Sequence, residues 1–201
     1  EFGGYALTIA SIPAAHITDS DSAALTSGVR RTGSLAAGDL DIYTITAPAA
    51  GSLLVSVAEA VTTTANIQSI IFSPSGALVD NDGVAIGVVQ LATPTVAGTY
   101  TIIMIEHFGD QTMDYALTAV VSPGAQPTDA DSGPLQTGQY KTGEIETGDI
   151  DVYTITGNTG SQLIVNVSEL VAAAAWEPHI IVTSPSGTVL RNDNGAIAVT
   201  W

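Results

Sequence analysis

Apolar and polar residues alternate with a period of two over 41–46, 53–57 and 99–105, and each run is bounded by Gly, Pro, Asn or Asp. That period sends successive side chains to opposite faces, so each run predicts a half-buried strand and each boundary a turn. Many short strands separated by turns point to an all-β fold, a jelly-roll-like β-sandwich. Two facing sheets would bury Ile42, Leu54, Ile70, Ile86, Ile102 and Leu117 or their immediate neighbours. Helical patterning is almost absent. The alanine-rich run 171–176 stands opposite the threonine-rich 61–66 in the repeat described next, so a loop or a single turn is expected there. Asp80-Asn81-Asp82-Gly83 and Asn192-Asp193-Asn194-Gly195 are residues that accept positive φ, and they are read as tight hairpin turns.

The chain repeats itself. Gly38-Asp39-Leu40-Asp41-Ile42-Tyr43-Thr44-Ile45-Thr46 returns 110 residues later as Gly148-Asp149-Ile150-Asp151-Val152-Tyr153-Thr154-Ile155-Thr156. At the same offset Thr18-Asp19-Ser20-Asp21-Ser22 returns as Thr128-Asp129-Ala130-Asp131-Ser132, and Tyr5-Ala6-Leu7-Thr8 as Tyr115-Ala116-Leu117-Thr118. After one inserted residue, Ser73-Pro74-Ser75-Gly76 returns as Ser184-Pro185-Ser186-Gly187. Self-similarity at a fixed period marks an array of like units. The expected organisation is tandem: 1–17 as the closing strand of a preceding or neighbouring unit with its linker, 18–127 as a complete sandwich, and 128–201 as a second sandwich lacking its closing strands. In that register Trp201 stands opposite Gln90, so the second unit has no counterpart of 91–110. A longer parent polypeptide is the expectation, which a start at Glu1 rather than Met also suits.

Composition narrows the function. Of 201 residues, 20 are acidic and only Arg30, Arg31, Lys141 and Arg191 are basic, for a formal net charge of −16. Such a surface repels phosphate backbones, which excludes nucleic-acid partners and disfavours anionic membranes. At 45% hydrophobic and 12% charged residues the chain is not a disordered acidic tail. No apolar run reaches the roughly 20 residues of a helical membrane span. With no cysteine there is no disulfide framework, cysteine zinc site or thiol nucleophile. Acidity of this degree is best tolerated in an extracellular, salty or calcium-containing setting, where screening and divalent ions relieve self-repulsion.

The residues that carry candidate chemistry are carboxylates. Asp39 and Asp41, and their counterparts Asp149 and Asp151, stand two apart at the start of a strand and project to one face. With turn carbonyls, such a pair suits Ca²⁺, which takes six to eight oxygens. The plainer reading is that they cap the preceding turn and keep a strand edge charged. Asp19 and Asp21, with Asp129 and Asp131, lie at the junctions marked by Pro13 and Pro127, where a cation would stiffen the linker; a solvated linker is equally compatible with them. No catalytic constellation accompanies these groups. His16, His107 and His179 are not repeated, and no nucleophile elbow, metalloprotease helix or phosphate loop is present. Tyr43, Tyr100, Tyr115 and Tyr153 fall in strands, as core packing or a buried hydroxyl bond.

Gly33-Ser34-Leu35, Gly38-Asp39-Leu40-Asp41-Ile42-Tyr43, Ser73-Pro74-Ser75-Gly76, Asp80-Asn81-Asp82-Gly83, Ala97-Gly98-Thr99-Tyr100 and Tyr115-Ala116-Leu117-Thr118 together resemble the bacterial pre-peptidase C-terminal domain. The resemblance implies a secreted jelly-roll-like sandwich, usually appended to extracellular hydrolases, with some relatives binding calcium or matrix polymers such as collagen. This chain departs in holding two units and no peptidase segment. The expected function is therefore a non-enzymatic extracellular structural or adhesive repeat module, an array or filament held by strand pairing between units. Tyr5, Leu7 and Ile9 on one side and Val199 and Trp201 on the other are the assembly residues. The alternative is an accessory module of a secreted hydrolase that recognises a matrix protein or polysaccharide.

Overall fold

The structure is a computed structural model, and it describes residues 4–13, 19–61, 64–85, 87–124, 129–170, 178–194 and 196–200. Among the described residues every regular element is a β-strand. The first nine strands are β1 (Ala23–Ala24), β2 (Arg31–Leu35), β3 (Leu40–Ala47), β4 (Ser52–Glu59), β5 (Ile67–Phe72), β6 (Leu78–Ala85), β7 (Gly87–Ala92), β8 (Gly98–Glu106) and β9 (Met113–Ser122). They form two sheets, one in the order β1-β3-β8-β5-β6 and the other in the order β2-β9-β4-β7. β1 pairs with β3 in parallel, and the other ladders are antiparallel.

The core lies between these sheets. Leu53, Val55 and Val57 point into it from β4, Tyr100, Ile102 and Met104 from β8, and Tyr115, Leu117 and Ala119 from β9. Alternation along β4 and β5 places every second residue inside, as a period-two pattern demands. Ile102 and Leu117 are core residues as expected, whereas Leu54 and Ile70 look outward and their neighbours Leu53, Val55 and Ile71 are buried. An alternating run with apolar residues on both faces does not reveal which face meets the other sheet; the packing of the two sheets decides that. Ile86 and the run 171–176 lie outside the described residues.

One turn assignment is corrected. Asp80-Asn81-Asp82-Gly83 is not a hairpin turn but the middle of β6, paired residue by residue with β5, and Asn192-Asp193-Asn194 lies likewise in a strand. β6 is the outer strand of its sheet, where exposed Asp and Asn side chains meet water and guard an open edge. The turn that feeds β6 is the Ser73-Pro74-Ser75-Gly76 loop, where Gly76 N–H donates to Ser73 O at 2.9 Å and Gly76 takes φ +82°.

After residue 128 the chain forms β10 (Gly133–Leu135), β11 (Tyr153–Ile155), β12 (Gln162–Asn166), β13 (His179–Thr183), β14 (Val189–Asn194) and β15 (Ala196–Thr200). The parallel pairing of Ala23 with Tyr43 recurs as Gly133 with Tyr153, and the antiparallel pairing of Ile70 with Asn81 recurs as Ile181 with Asn192. These strands remain three separate two-stranded ladders. In the first unit β8 joins β3 to β5, and β9 joins β2 to β4. No strand of the described residues takes those places in the second. The β12 to β15 ladder is also displaced, because Leu54 faces Leu91 whereas its counterpart Ile164 faces Ala198, the counterpart of Gly87. Among the described residues β12 has no β9-type strand on its other edge, and so no second ladder to set its register.

Candidate metal centre

Asp19, Asp39 and Asp41 converge at the start of the first unit, each offering a carboxylate oxygen within 4.8 Å of the others, and Asp129, Asp149 and Asp151 do the same 110 residues later. Local sequence builds part of this. Asp39 closes a turn, its N–H donating to Ala36 O at 3.1 Å while its Oδ1 accepts the Leu40 N–H at 2.8 Å. Asp41 follows on β3, two residues on and therefore on the same side. Asp19 arrives from elsewhere, brought in by the parallel β1–β3 pairing and by Ser22, whose Oγ accepts the Ile42 N–H at 2.8 Å. The second unit reproduces this bond, with Ser132 Oγ accepting the Val152 N–H at 2.8 Å.

Asp21 and Asp131 stand beside the triads without being members of them. Asp21 Oδ2 accepts the Ser34 N–H at 2.9 Å, and Asp131 Oδ2 accepts the Glu144 N–H at 2.7 Å. Each ties the linker to the strand or loop beside it, and this bond holds the Asp131 carboxyl below its ordinary value.

The first triad is the more buried. Asp41 has no solvent exposure; its Oδ2 accepts a short bond from the Tyr115 hydroxyl, which in turn lies 2.7 Å from the Tyr43 hydroxyl. Both rings are buried in the core, and the Tyr115 ring crosses Gly33 where a Cβ would stand 2.5 Å from its Cζ. Only glycine admits the ring there. Burial raises the Tyr115 hydroxyl far above its usual range and pushes that of Tyr43 up to about 12, so both remain protonated donors. Apart from the neighbouring carboxyl itself, Asp41 Oδ1 and Asp19 Oδ2 are buried without a hydrogen-bond partner.

Electrostatics follow from this geometry. Burial first, then the facing Asp19 carboxylate, push the Asp41 carboxyl up to about 8 against the pull of the Tyr115 hydroxyl. The proton that Asp41 keeps is shared with Asp19, and this bond lowers Asp19. Two carboxylates that cannot both ionise hold one proton between them. In the second unit burial and then the charge of Asp131 push Asp151 up to about 7, and burial raises Asp149. Asp151 Oδ1 is again an orphan. Among the described residues no counterpart of Tyr115 reaches it. The Tyr153 hydroxyl takes Asp151 Oδ2 itself at 3.4 Å, and Tyr153 is 37% exposed where Tyr43 is 1%.

No family model matches the chain, and no curated protein matches it. Solved structures similar to it include these two. One is the pre-peptidase C-terminal domain of a collagenase from Bacillus anthracis, at 17% identity and a TM-score of 0.37, covering 51% of this chain and 99% of that one. The other is PliG of Aeromonas hydrophila, a periplasmic inhibitor of g-type lysozyme, at 16% identity and a TM-score of 0.38, covering 50% of this chain and 96% of that one. Both likenesses are of fold.

Chemically, the triads suit a hard cation. Calcium binds oxygen at 2.3–2.6 Å, so two ligands of one ion stand at most about 4.6–5.2 Å apart, and the triad oxygens, within 4.8 Å of one another, fall inside that limit. The orphaned oxygens supply lone pairs that nothing else uses. Of the assembly residues expected from sequence, Tyr5, Leu7 and Ile9 are 90%, 73% and 78% exposed, Val199 lies in β15, and Trp201 falls outside the described residues. What sequence reading missed is the serine that ties each linker to its strand, although Ser22 and Ser132 belong to a repeated motif that was in view.

Proposed function

We propose that this chain is a non-catalytic extracellular repeat module whose sandwich units are stiffened, at the start of each, by a calcium-type cation. The carrying observation is that the same three carboxylates meet twice at the 110-residue period, each time leaving a buried carboxylate oxygen unpaired. Such groups cannot stay charged together without a proton or a cation between them. An ion removes two charges' worth of repulsion at each site in a chain that carries −16. Thermal melting in calcium and in chelator tests this. At 100 times its dissociation constant a ligand adds about 2.7 kcal/mol to the folded state. Equal midpoints in the two buffers would remove the cation from the account.

A second reading, self-association, is favoured by the residues at the start of the chain. Tyr5 and Leu7 are exposed apolar residues, while their repeat counterparts Tyr115 and Leu117 are at 0% in the core of the first sandwich. A segment with the pattern of a closing strand pairs with a sheet that lacks one, in a neighbouring copy or another unit. Sedimentation across a concentration series reads this out. Association that Leu7→Ser and Ile9→Ser abolish supports strand pairing, and a monomer at every concentration rejects it.

A further inference from the structure

β9 has two faces, and the structure uses both. Tyr115, Leu117 and Ala119 face the sandwich core; Ala116, on the opposite face, is also at 0% exposure. What lies against Ala116 is the next unit. A Cβ on Gly148 would stand 2.6 Å from the Ala116 carbonyl carbon and 3.1 Å from its Cβ. Further along, a Cβ on Gly187 would stand 2.5 Å from Pro123 Cδ.

The same pair of contacts occurs once more, one period earlier. A Cβ on Gly38 would stand 2.8 Å from Ala6 Cβ, and one on Gly76 would stand 3.1 Å from Ile12 O and 3.2 Å from Pro13 Cδ. Ala6, Ile12 and Pro13 are the repeat counterparts of Ala116, Ser122 and Pro123, and Gly38 and Gly76 those of Gly148 and Gly187. All four glycines are left-handed, with φ of +76°, +82°, +71° and +86° for Gly38, Gly76, Gly148 and Gly187. Glycine is thus required twice over, for the backbone conformation and for the close approach of another backbone.

We infer that the face formed by the turn at Gly38 or Gly148 and the Ser-Pro-Ser-Gly turn at Gly76 or Gly187 is a docking surface for the closing strand of another copy of this unit. It rests on the repeat reading above and does not depend on the cation. The strand is shared: one face completes its own core and the other seats the following unit. Residues 4–13 show the arrangement with the first half missing. Thr8 Oγ1 donates to Gly38 O at 2.9 Å from the docked face, whereas Tyr5, Leu7 and Ile9 on the core face are exposed. The partner that fits those residues is the rest of a sandwich like residues 19–124.

Polar contacts fix the orientation at the second joint. Arg30, one of four basic side chains in the chain, donates from Nε to Thr147 O at 2.8 Å and stands 3.6 Å from Glu146, on the turn that carries Gly148. The Ser122 and Thr183 hydroxyls lie 2.9 Å apart. Two units that both carry excess negative charge are therefore held by a cation on one and a close backbone fit, and successive units repeat one orientation.

Engineered cysteines test this in the whole chain, which has none of its own. Ser122→Cys with Thr183→Cys should form an intramolecular disulfide under mild oxidation. Ile12→Cys with Phe72→Cys, the equivalent pair one period earlier, should do the same, both detected as linked peptides by mass spectrometry. Adding Gly148→Asn to the first pair should slow crosslinking roughly tenfold or more, because an open joint lowers the effective concentration of the thiols. Asn tolerates the left-handed conformation, and Gly160→Asn, at φ +83° with nothing within 4 Å, should leave the rate unchanged. Absence of both disulfides, or equal rates with Gly148→Asn and without it, overturns the docking surface. Failure of the repeat reading looks different. The Ile42 and Val152 amides, each bonded to a serine, would then lose their matched protection from hydrogen exchange, which a failed joint leaves intact.

Discussion

Replacing Asp41 by Asn should make the first unit more stable at neutral and alkaline pH in chelator, and should flatten its pH dependence. The Asp41 carboxyl is raised from 3.8 to about 8, so the folded state holds its proton more tightly than the unfolded chain does. The stability contributed by the neutral carboxyl is complete below about pH 4, where both states are protonated, and drains away as the pH climbs towards about 8. Each pH unit in that window is worth about 1.36 kcal/mol, which sets a ceiling of about 6 kcal/mol on the total loss. Asn keeps an acceptor for the Tyr115 hydroxyl, presents an N–H to Asp19, and never ionises. Urea unfolding at a series of pH values, read by near-ultraviolet circular dichroism of the buried Tyr43, Tyr100 and Tyr115, reports on this unit, while both tryptophans, Trp176 and Trp201, lie beyond residue 128. Parallel profiles for the parent and Asp41→Asn from about pH 5 to about pH 8 would refute the claim that a buried, proton-sharing pair controls the stability of this unit. In calcium the order should reverse, because the variant loses a ligand.

Cation binding should also release protons. With Asp41 near 8 and Asp151 near 7, binding at pH 7 should expel about 1.4 protons per chain, measurable by calorimetry in buffers of different ionisation heat; a buffer-independent heat rejects it. Tyr115→Phe leaves Asp41 Oδ2 and the Tyr43 hydroxyl short of a partner and should cost about 1–3 kcal/mol in urea unfolding, whereas an unchanged midpoint would deny the hydroxyl chain any role. Leu53→Ala, at a site with no exposure, should cost about 2–5 kcal/mol. Its repeat counterpart Leu163, only half-buried, should lose clearly less on the same change, and equal costs would contradict the open state of the second unit.

The sequence by itself determined the strands over 41–46, 53–57 and 99–105, the 110-residue period and the carboxylates of each unit, because these are local facts. Alternation of period two, turn residues and a motif repeated in one register need no knowledge of what lies across the sheet. The Asp39 and Asp41 spacing could be read in the same way, since two residues apart on an extended chain means one face. Tertiary structure decided the rest. Which face of β4 is buried depended on the opposing sheet, so Leu53 and Val55 went inside rather than Leu54. Asp80-Asn81-Asp82-Gly83, with the composition of a turn, became an edge strand because β5 offered a ladder beside it. Asp19 reached Asp41 only through the β1–β3 pairing, and Tyr115 reached it from 74 residues away across the core. The charge state of Asp41 therefore belongs to the fold and not to its own stretch of chain, since desolvation and a facing carboxylate arise only when distant segments meet.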